Sequence, residues 1–169
     1  MRAEEAPGPG LAVDNRMYLV LPARSANLSL ARAAVAAFAA QLPFTVEDLE
    51  DIKVAVSEAV SNVILHAYGP AGGDVAVTAA LRGHDLEVTV EDNGCGIADV
   101  SQARQPSFTT CPDRMGLGFV LMESFMDQVD VASAPGRGTR VKMCKASSEH
   151  RAQGGGRETN GGEPPHPAL

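Results

Sequence analysis

The sequence lacks several features that define well-known classes of protein. It contains no tryptophan and only three cysteines, Cys95, Cys111 and Cys144, whose spacing fits neither a disulfide framework nor a zinc site. It has no apolar run near the roughly 18 residues of a membrane span and no apolar signal segment at its N-terminus. Lysine and arginine total 14 against 21 aspartate and glutamate, without a basic cluster. We therefore expect a cytoplasmic protein that binds neither membrane nor nucleic acid directly.

The composition that is present suits one folded domain. The chain has 169 residues, 44% of them hydrophobic, and a formal net charge of −7, which is enough apolar material for a single core. Residues 1–14 are rich in proline, glycine and alanine, and residues 146–169 are polar and rich in glycine and proline. We expect both ends to be disordered and the domain to cover residues 15–145. The acidic surface would suit a basic protein partner, although solubility alone would also explain it.

Apolar periodicity and turn residues predict an α/β sandwich, with helices on one face of a mostly antiparallel, mixed sheet. The Ala-rich helix should bury Leu30, Ala34, Ala37 and Phe38. A capping box at residues 45–48 should begin a helix that continues to Ala67. Residues 93–115 contain no regular pattern. The predicted strands are 17–21, 74–81, 86–92, 128–133 and 139–145, and the predicted helices are 27–42, 45–67 and 116–126.

The helix sequence SEAVSNVILHAYG contains three polar residues in one row. Glu58, Asn62 and His66 are spaced i, i+4 and i+8, so they lie along one side of the helix. An amide oxygen is a suitable ligand for Mg²⁺, and a carboxylate one turn away can accept a proton from a nucleophile. A solvated helix edge would explain the same residues.

Two glycine-containing segments follow later in the chain. Asp92 lies at the end of the strand that begins with LEVTV. Gly94 and Gly96 follow it and would let a flat ligand approach the backbone. A simple Asx turn is equally consistent with this sequence. The segment Met115–Phe119, MGLGF, stands at the start of a predicted helix, where free N–H groups favour phosphate. It matches neither common nucleotide-binding loop and is weak evidence alone.

Together, in this order, the three segments resemble the N, G1 and G2 boxes of the Bergerat-fold (GHKL) ATPases, the superfamily that includes gyrase and the histidine kinases. A closer resemblance, covering about residues 17–145, is to the sporulation anti-sigma F factors, which are serine kinases. It rests on ARAAVAAFAAQL (31–42), SEAVSNVILHAYG (57–69), DNGCGI (92–97), ARQPSFTT (103–110) and MGLGFVLMESFMDQVDVASAPGRGT (115–139).

This resemblance implies a site for ATP or ADP with Mg²⁺. Glu58 would be the general base towards a partner serine, and Asn62 would hold the metal. Asp92 would bind the adenine amine, and Thr139 would add a second polar contact at the base. Around them, the adenine pocket, the lid over ATP and the phosphate cradle would be formed by Gly94, Gly96, Ile97, Thr109, Thr110, Gly116, Leu117, Gly118 and Phe119. The roles of His66 and Cys95 are left open.

The same resemblance implies the partners. Members of the family hold the sporulation sigma-F factor inactive as a dimer, and they phosphorylate a serine of a small anti-anti-sigma protein; Arg32 matches a position of partner contact. A general stress-response anti-sigma kinase of the same fold and a sigma-binding module whose nucleotide is only structural are the alternatives. The catalytic domain of a histidine kinase is a further alternative, but the sequence offers no helical segment with a suitable phosphorylated histidine.

Overall fold

A five-stranded antiparallel sheet is the framework of the protein. The computed structural model describes residues 13–105 and 116–148. The strands are β1 (Asn15–Pro22), β2 (Asp74–Arg82), β3 (Asp85–Asp92), β4 (Gln128–Ser133) and β5 (Thr139–Ala146). Their order in the sheet is β1-β2-β3-β5-β4, and every neighbouring pair is antiparallel. The predicted, mostly antiparallel sheet is thus confirmed, and among the described strands no pair is parallel.

The helices pack on one face of this sheet, as predicted. A 3₁₀ turn precedes the first helix, and a π-helical turn, Val63–Ala67, follows the second. The second helix is therefore α-helical only to Asn62 and not to Ala67 as expected. The helices are α1 (Leu28–Ala39), α2 (Val46–Asn62), α3 (Val100–Ala103) and α4 (Gly118–Phe125), of which α3 lies in the segment predicted to be irregular. None of the described helices combines the length and apolarity needed to cross a membrane.

The core lies between the helices and alternate residues of β2, β3 and β5. On α2 the buried apolar residues include Ile52, Val56 and Ala59, which recur at helical spacing. On α1 the predicted face is off by one position: the buried row is Ala31, Val35 and Ala39, whereas Leu30 is 52% exposed. In a helix made mostly of alanine the apolar pattern is ambiguous, and the small residues allow α1 to pack closely against the core.

The start of α2 has the capping box that the sequence predicted. The Asp48 amide donates to the Thr45 hydroxyl oxygen at 3.1 Å, and the Thr45 amide donates to Asp48 Oδ2 at 3.0 Å.

A buried lysine lies near this cap. The ammonium of Lys145 on β5 lies 3.1 Å from Asp51 Oδ2 and donates to the carbonyl of Phe125 at 2.7 Å. Lys145 therefore connects α2 with the C-terminal end of α4, where a cation also interacts favourably with the negative end of the helix dipole.

Candidate functional site

A cavity of about 680 Å³ brings the predicted segments together. Its size is within the range of small-molecule sites, roughly 300–1,000 Å³. Apolar side chains such as Val90, Val141 and Leu121 form much of its wall. Of the residues predicted from the sequence, those that line it are Glu58, Asn62, His66, Asp92, Cys95, Gly96, Ile97, Gly116, Leu117, Gly118, Phe119 and Thr139.

Four of the predicted site residues are not among those that line the cavity: two lie outside it, and two are outside the residues that the structure describes. Gly94 does not line the cavity; a Cβ there would stand 2.1 Å from the carbonyl oxygen of Ala67, so the backbone of α2's continuation occupies the space we assigned to a ligand. Arg32 is exposed on α1 and does not line the cavity. Thr109 and Thr110 lie outside the described residues.

The row of polar residues on α2 faces the beginning of α4. A Cβ placed on Gly118 would stand 3.1 Å from Glu58 Oε2 and 3.5 Å from Asn62 Oδ1. Gly118 is the first residue of α4, so the carboxylate and the amide lie beside a helix N-terminus with its unsatisfied N–H groups. Gly116, with φ of +65°, turns the chain into this position. The helix predicted to hold the metal and the general base is therefore adjacent to the segment predicted to bind phosphate.

The π-helical turn joins α2 to the turn that follows β3. Its last carbonyls, which lack partners within the helix, are reached by Cys95: the Cys95 amide donates to the Ala67 oxygen at 2.8 Å, and its thiol donates to the His66 oxygen at 3.1 Å. His66 remains on the cavity wall after this change of helix type. The helix that carries the predicted general base and the turn that carries the predicted adenine contact are thus joined by one backbone hydrogen bond and one from the Cys95 thiol.

Asp92 is the most buried acidic side chain of the cavity, with 8% of its surface exposed. Burial raises the pKa of its carboxyl above the ordinary value of 3.8, and the hydrogen bonds that it accepts from the Gly94 and Thr139 amides oppose this rise. The Gly94 amide lies 2.8 Å from Oδ1. A carboxylate has about four acceptor positions, so Asp92 can still accept from a ligand donor after these two bonds.

Three polar residues in or beside the cavity were not predicted from the sequence. Ser133, at the end of β4, contacts Ile97, Gly138 and Thr139 through its hydroxyl. Asp99 and Gln102 line the cavity beside α3, and the Ser101 hydroxyl and the Gln102 amide lower the pKa of Asp99. A serine at a strand end and a short capped helix have no distinguishing sequence signal, so only the folded arrangement reveals them.

The polar residues could hold a metal only together with a bound substrate. Among the described residues no group of three or more histidine, cysteine or acidic side chains is placed to hold a metal ion. Mg²⁺ takes few protein ligands and completes its shell with water and substrate phosphates. The Asn62 amide oxygen, with Glu58 close by, therefore fits a metal that would take most of its ligands from water and substrate rather than one enclosed by protein.

Comparisons with known proteins identify the family of this chain. Residues 21–145 match the family model described as the histidine kinase-like ATPase domain. The chain is 51% identical over 135 residues to an anti-sigma F factor from Pasteuria penetrans, with 78% of this chain and 90% of that protein covered. It is 44% identical over 135 residues to an anti-sigma F factor from Clostridium acetobutylicum, with 79% and 94% covered.

Solved structures share the fold at lower identity. The RsbU and RsbW domains of a Mycobacterium tuberculosis protein align with a TM-score of 0.58 at 21% identity, covering 78% of this chain and 32% of that chain. Full-length ShkA in complex with AMPPNP aligns with a TM-score of 0.50 at 19% identity, covering 76% and 32%. This chain thus spans about a third of each of those chains.

Proposed function

We propose, since this chain belongs to the anti-sigma F factor family of histidine kinase-like ATPase domains, that it is an ATP-dependent protein-serine kinase that also holds a sigma factor inactive. The observation that carries the kinase proposal is the convergence of Glu58 and Asn62 on Gly118, at the beginning of α4. A nucleotide-binding site needs no base, whereas phosphoryl transfer to a hydroxyl benefits from one.

In this proposal each side chain at the phosphate end has a role. The partner's serine oxygen attacks the γ-phosphorus, the bond from that phosphorus to the β,γ-bridging oxygen breaks, and ADP leaves. Glu58 accepts the proton of the serine hydroxyl. Asn62 would hold Mg²⁺, which when bound neutralises charge on the phosphates. The N–H groups at the start of α4 would bind phosphate oxygens.

The charge of the cavity supports the need for a divalent cation. Glu58, Asp92 and Asp99 are all in the wall, and no lysine or arginine is among its described lining residues. A polyphosphate placed beside Glu58 would meet like charge unless a cation lay between them. Mg²⁺ together with the N-terminus of α4 supplies the positive potential that the lining side chains do not.

The buried carboxylate and its neighbours would bind the base. Asp92 offers an acceptor for the exocyclic amine of adenine, and Thr139 lies beside it. Ile97 and Val90 supply apolar surface for the flat ring. This is the usual composition of a small-molecule site, an apolar pocket with a few fixed polar groups.

The partners come from the family. We propose that the chain binds the sporulation sigma-F factor as a homodimer in the cytoplasm, and that it phosphorylates a serine of a small anti-anti-sigma protein. Arg32 is exposed on α1 and available for such contacts. A general stress-response kinase of the same fold would differ mainly in its partner surface, so the sigma factor bound is what separates these two assignments.

The test is single-turnover transfer from γ-labelled ATP with Mg²⁺ to a co-encoded small anti-anti-sigma protein. We compare the wild type with Glu58→Gln, and we use Glu50→Gln as the control because Glu50 is an exposed acidic residue of α2 paired with Lys53. Loss of the base should slow transfer by about 10²–10⁴-fold, with ADP affinity within a few-fold of wild type. The Glu50 variant should behave as wild type.

Two results would contradict the proposal in different ways. Transfer by the Glu58 variant at the wild-type rate would show that another group takes the proton. A wild-type protein that binds ATP but labels no serine would instead be a sigma-binding module with a structural nucleotide, and sigma-factor binding would then be measured directly.

A further inference from the structure

The hydroxyl of Ser133 is fully occupied by three neighbours. The Ile97 amide donates to Ser133 Oγ at 2.8 Å, and Ser133 donates to the carbonyl of Gly138 at 2.8 Å. The third neighbour is Thr139 Oγ1, at 3.0 Å. A serine hydroxyl has one hydrogen and two acceptor positions. Since its hydrogen is directed to Gly138, the contact with Thr139 requires that Thr139 be the donor.

This arrangement fixes the direction of the hydroxyl of Thr139. The single hydroxyl hydrogen of Thr139 is used on Ser133, so towards the cavity its oxygen can only accept. Its backbone N–H is among the groups that oppose the rise in the pKa of the Asp92 carboxyl, which places Thr139 beside Asp92. Both residues line the cavity. A Thr139 oxygen directed to the cavity would therefore add a second acceptor next to the carboxylate.

We propose that Ser133 is a specificity-determining positioning residue, which orients the Thr139 hydroxyl so that the site selects a purine with a 6-amino group over one with a 6-oxo group. The inference rests on the proposed nucleotide site. With both acceptors directed at the 6-position, an amine there supplies two N–H donors for them. A carbonyl there places its lone pairs against both acceptors, and the N1–H donor of a 6-oxopurine lies one ring position away. A site built around one hydrogen-bond pattern rejects the opposite pattern strongly. Ser133 acts from behind Thr139 and does not itself line this cavity.

The experiment compares the affinities of ADP and inosine diphosphate, which differ at the 6-position and N1, by calorimetry with Mg²⁺. The wild type should prefer ADP by at least about 100-fold. In Ser133→Ala the Thr139 hydroxyl is released and can turn to donate into the cavity, so the ADP-to-IDP ratio should fall at least about tenfold. Ser133→Thr keeps the hydroxyl and should keep the ratio close to that of the wild type.

A second variant keeps the test decisive if the alanine variant does not fold. Thr139→Val removes the oriented acceptor directly and should lower the ratio by a similar factor, and adding Ser133→Ala to it should cause no further fall. Thermal unfolding of each variant separates loss of structure from loss of selectivity.

Several outcomes would overturn the inference. A wild-type ratio in either folded single variant would show that the Thr139 hydroxyl does not select the base, although nucleotide binding would stand. A ratio that falls further in the double variant than in Thr139→Val would show that Ser133 acts by another route. A wild type that binds neither nucleotide would refute the proposed function itself.

Discussion

Replacing Gly118 by alanine should separate nucleotide binding from stability. Gly118 is the first residue of α4, and its φ is not among the positive values of the chain, so alanine fits the backbone. Glycine within a helix costs roughly 0.5–1 kcal/mol relative to alanine, so the variant should unfold at an equal or slightly higher urea concentration. The new methyl group, however, would stand 3.1 Å from Glu58 Oε2 and 3.5 Å from Asn62 Oδ1.

The added methyl group occupies the space between the helix N-terminus and the two polar side chains. Phosphate oxygens bind N–H groups at about 2.9 Å, and a methyl group there prevents this approach unless Glu58 and the start of α4 both move. We expect ADP affinity with Mg²⁺ to fall at least about tenfold, which is about 1.4 kcal/mol. Calorimetry measures the affinity, and urea denaturation followed by circular dichroism measures the stability.

The control is Gly69→Ala. No heavy atom lies within 4 Å of the Cβ that this substitution would add, and Gly69 does not have a positive φ. It should change neither affinity nor stability appreciably. If Gly118→Ala bound ADP as tightly as the wild type, the phosphates could not lie where α4 begins, and the assignment of the phosphate end would be wrong.

Two further predictions concern buried charged groups. Lys145→Met leaves Asp48 and Asp51 without the buried ammonium and should lower the free energy of unfolding by about 3–5 kcal/mol in urea denaturation. Lys142→Met, which removes a half-exposed ion pair from the same strand, should cost less than about 1 kcal/mol; equal losses would contradict the burial argument. For Asp92, burial raises the pKa of the carboxyl above 3.8 in the folded protein. The stability that Asp92 contributes, measured against the Asp92→Asn variant, is therefore complete below the carboxyl's pKa in the unfolded chain. It is lost as the pH rises through the carboxyl's pKa in the folded protein. Urea denaturation of both proteins from acid to neutral pH should show this difference shrinking or reversing as pH rises, and no pH dependence of the difference would refute the cause given for the shift.

The fold was largely predictable because its local signals agree with one another. The strand pairs carry clean alternation, the connection at Gly83 is tight and has a positive φ of 60°, and the Thr45 capping box forms as expected. The errors arise where local patterns are ambiguous. The Ala-rich α1 could not indicate its own buried face, and nothing in the residues 63–67 distinguishes a π-helical turn from the α-helix before it.

The site shows the same division between local and long-range information. Glu58 and Asn62 could be placed on one side of a helix from their spacing alone, and a resemblance to known kinases supplied their roles. Gly94 was predicted to permit a close approach to the backbone, and in the structure the group that approaches it where a Cβ would stand is the carbonyl of Ala67. Which of two close approaches a glycine permits depends on residues distant in sequence.

Ser133 marks the limit of what the sequence can show about specificity. Its importance comes from a count of hydrogens: the hydroxyl has one donor and two acceptor positions, and each is matched by a neighbour. Gly138 and Thr139 belong to the same hairpin as Ser133, but the Ile97 amide comes from the turn after β3 and is brought to Ser133 only by the fold. From the sequence, Asp92 and Thr139 are predicted to contact a base. In our proposal the base that they accept depends on the direction of one hydroxyl bond, which is set by a residue behind the cavity wall, so selectivity could change at Ser133 while every residue predicted to touch the nucleotide stays the same.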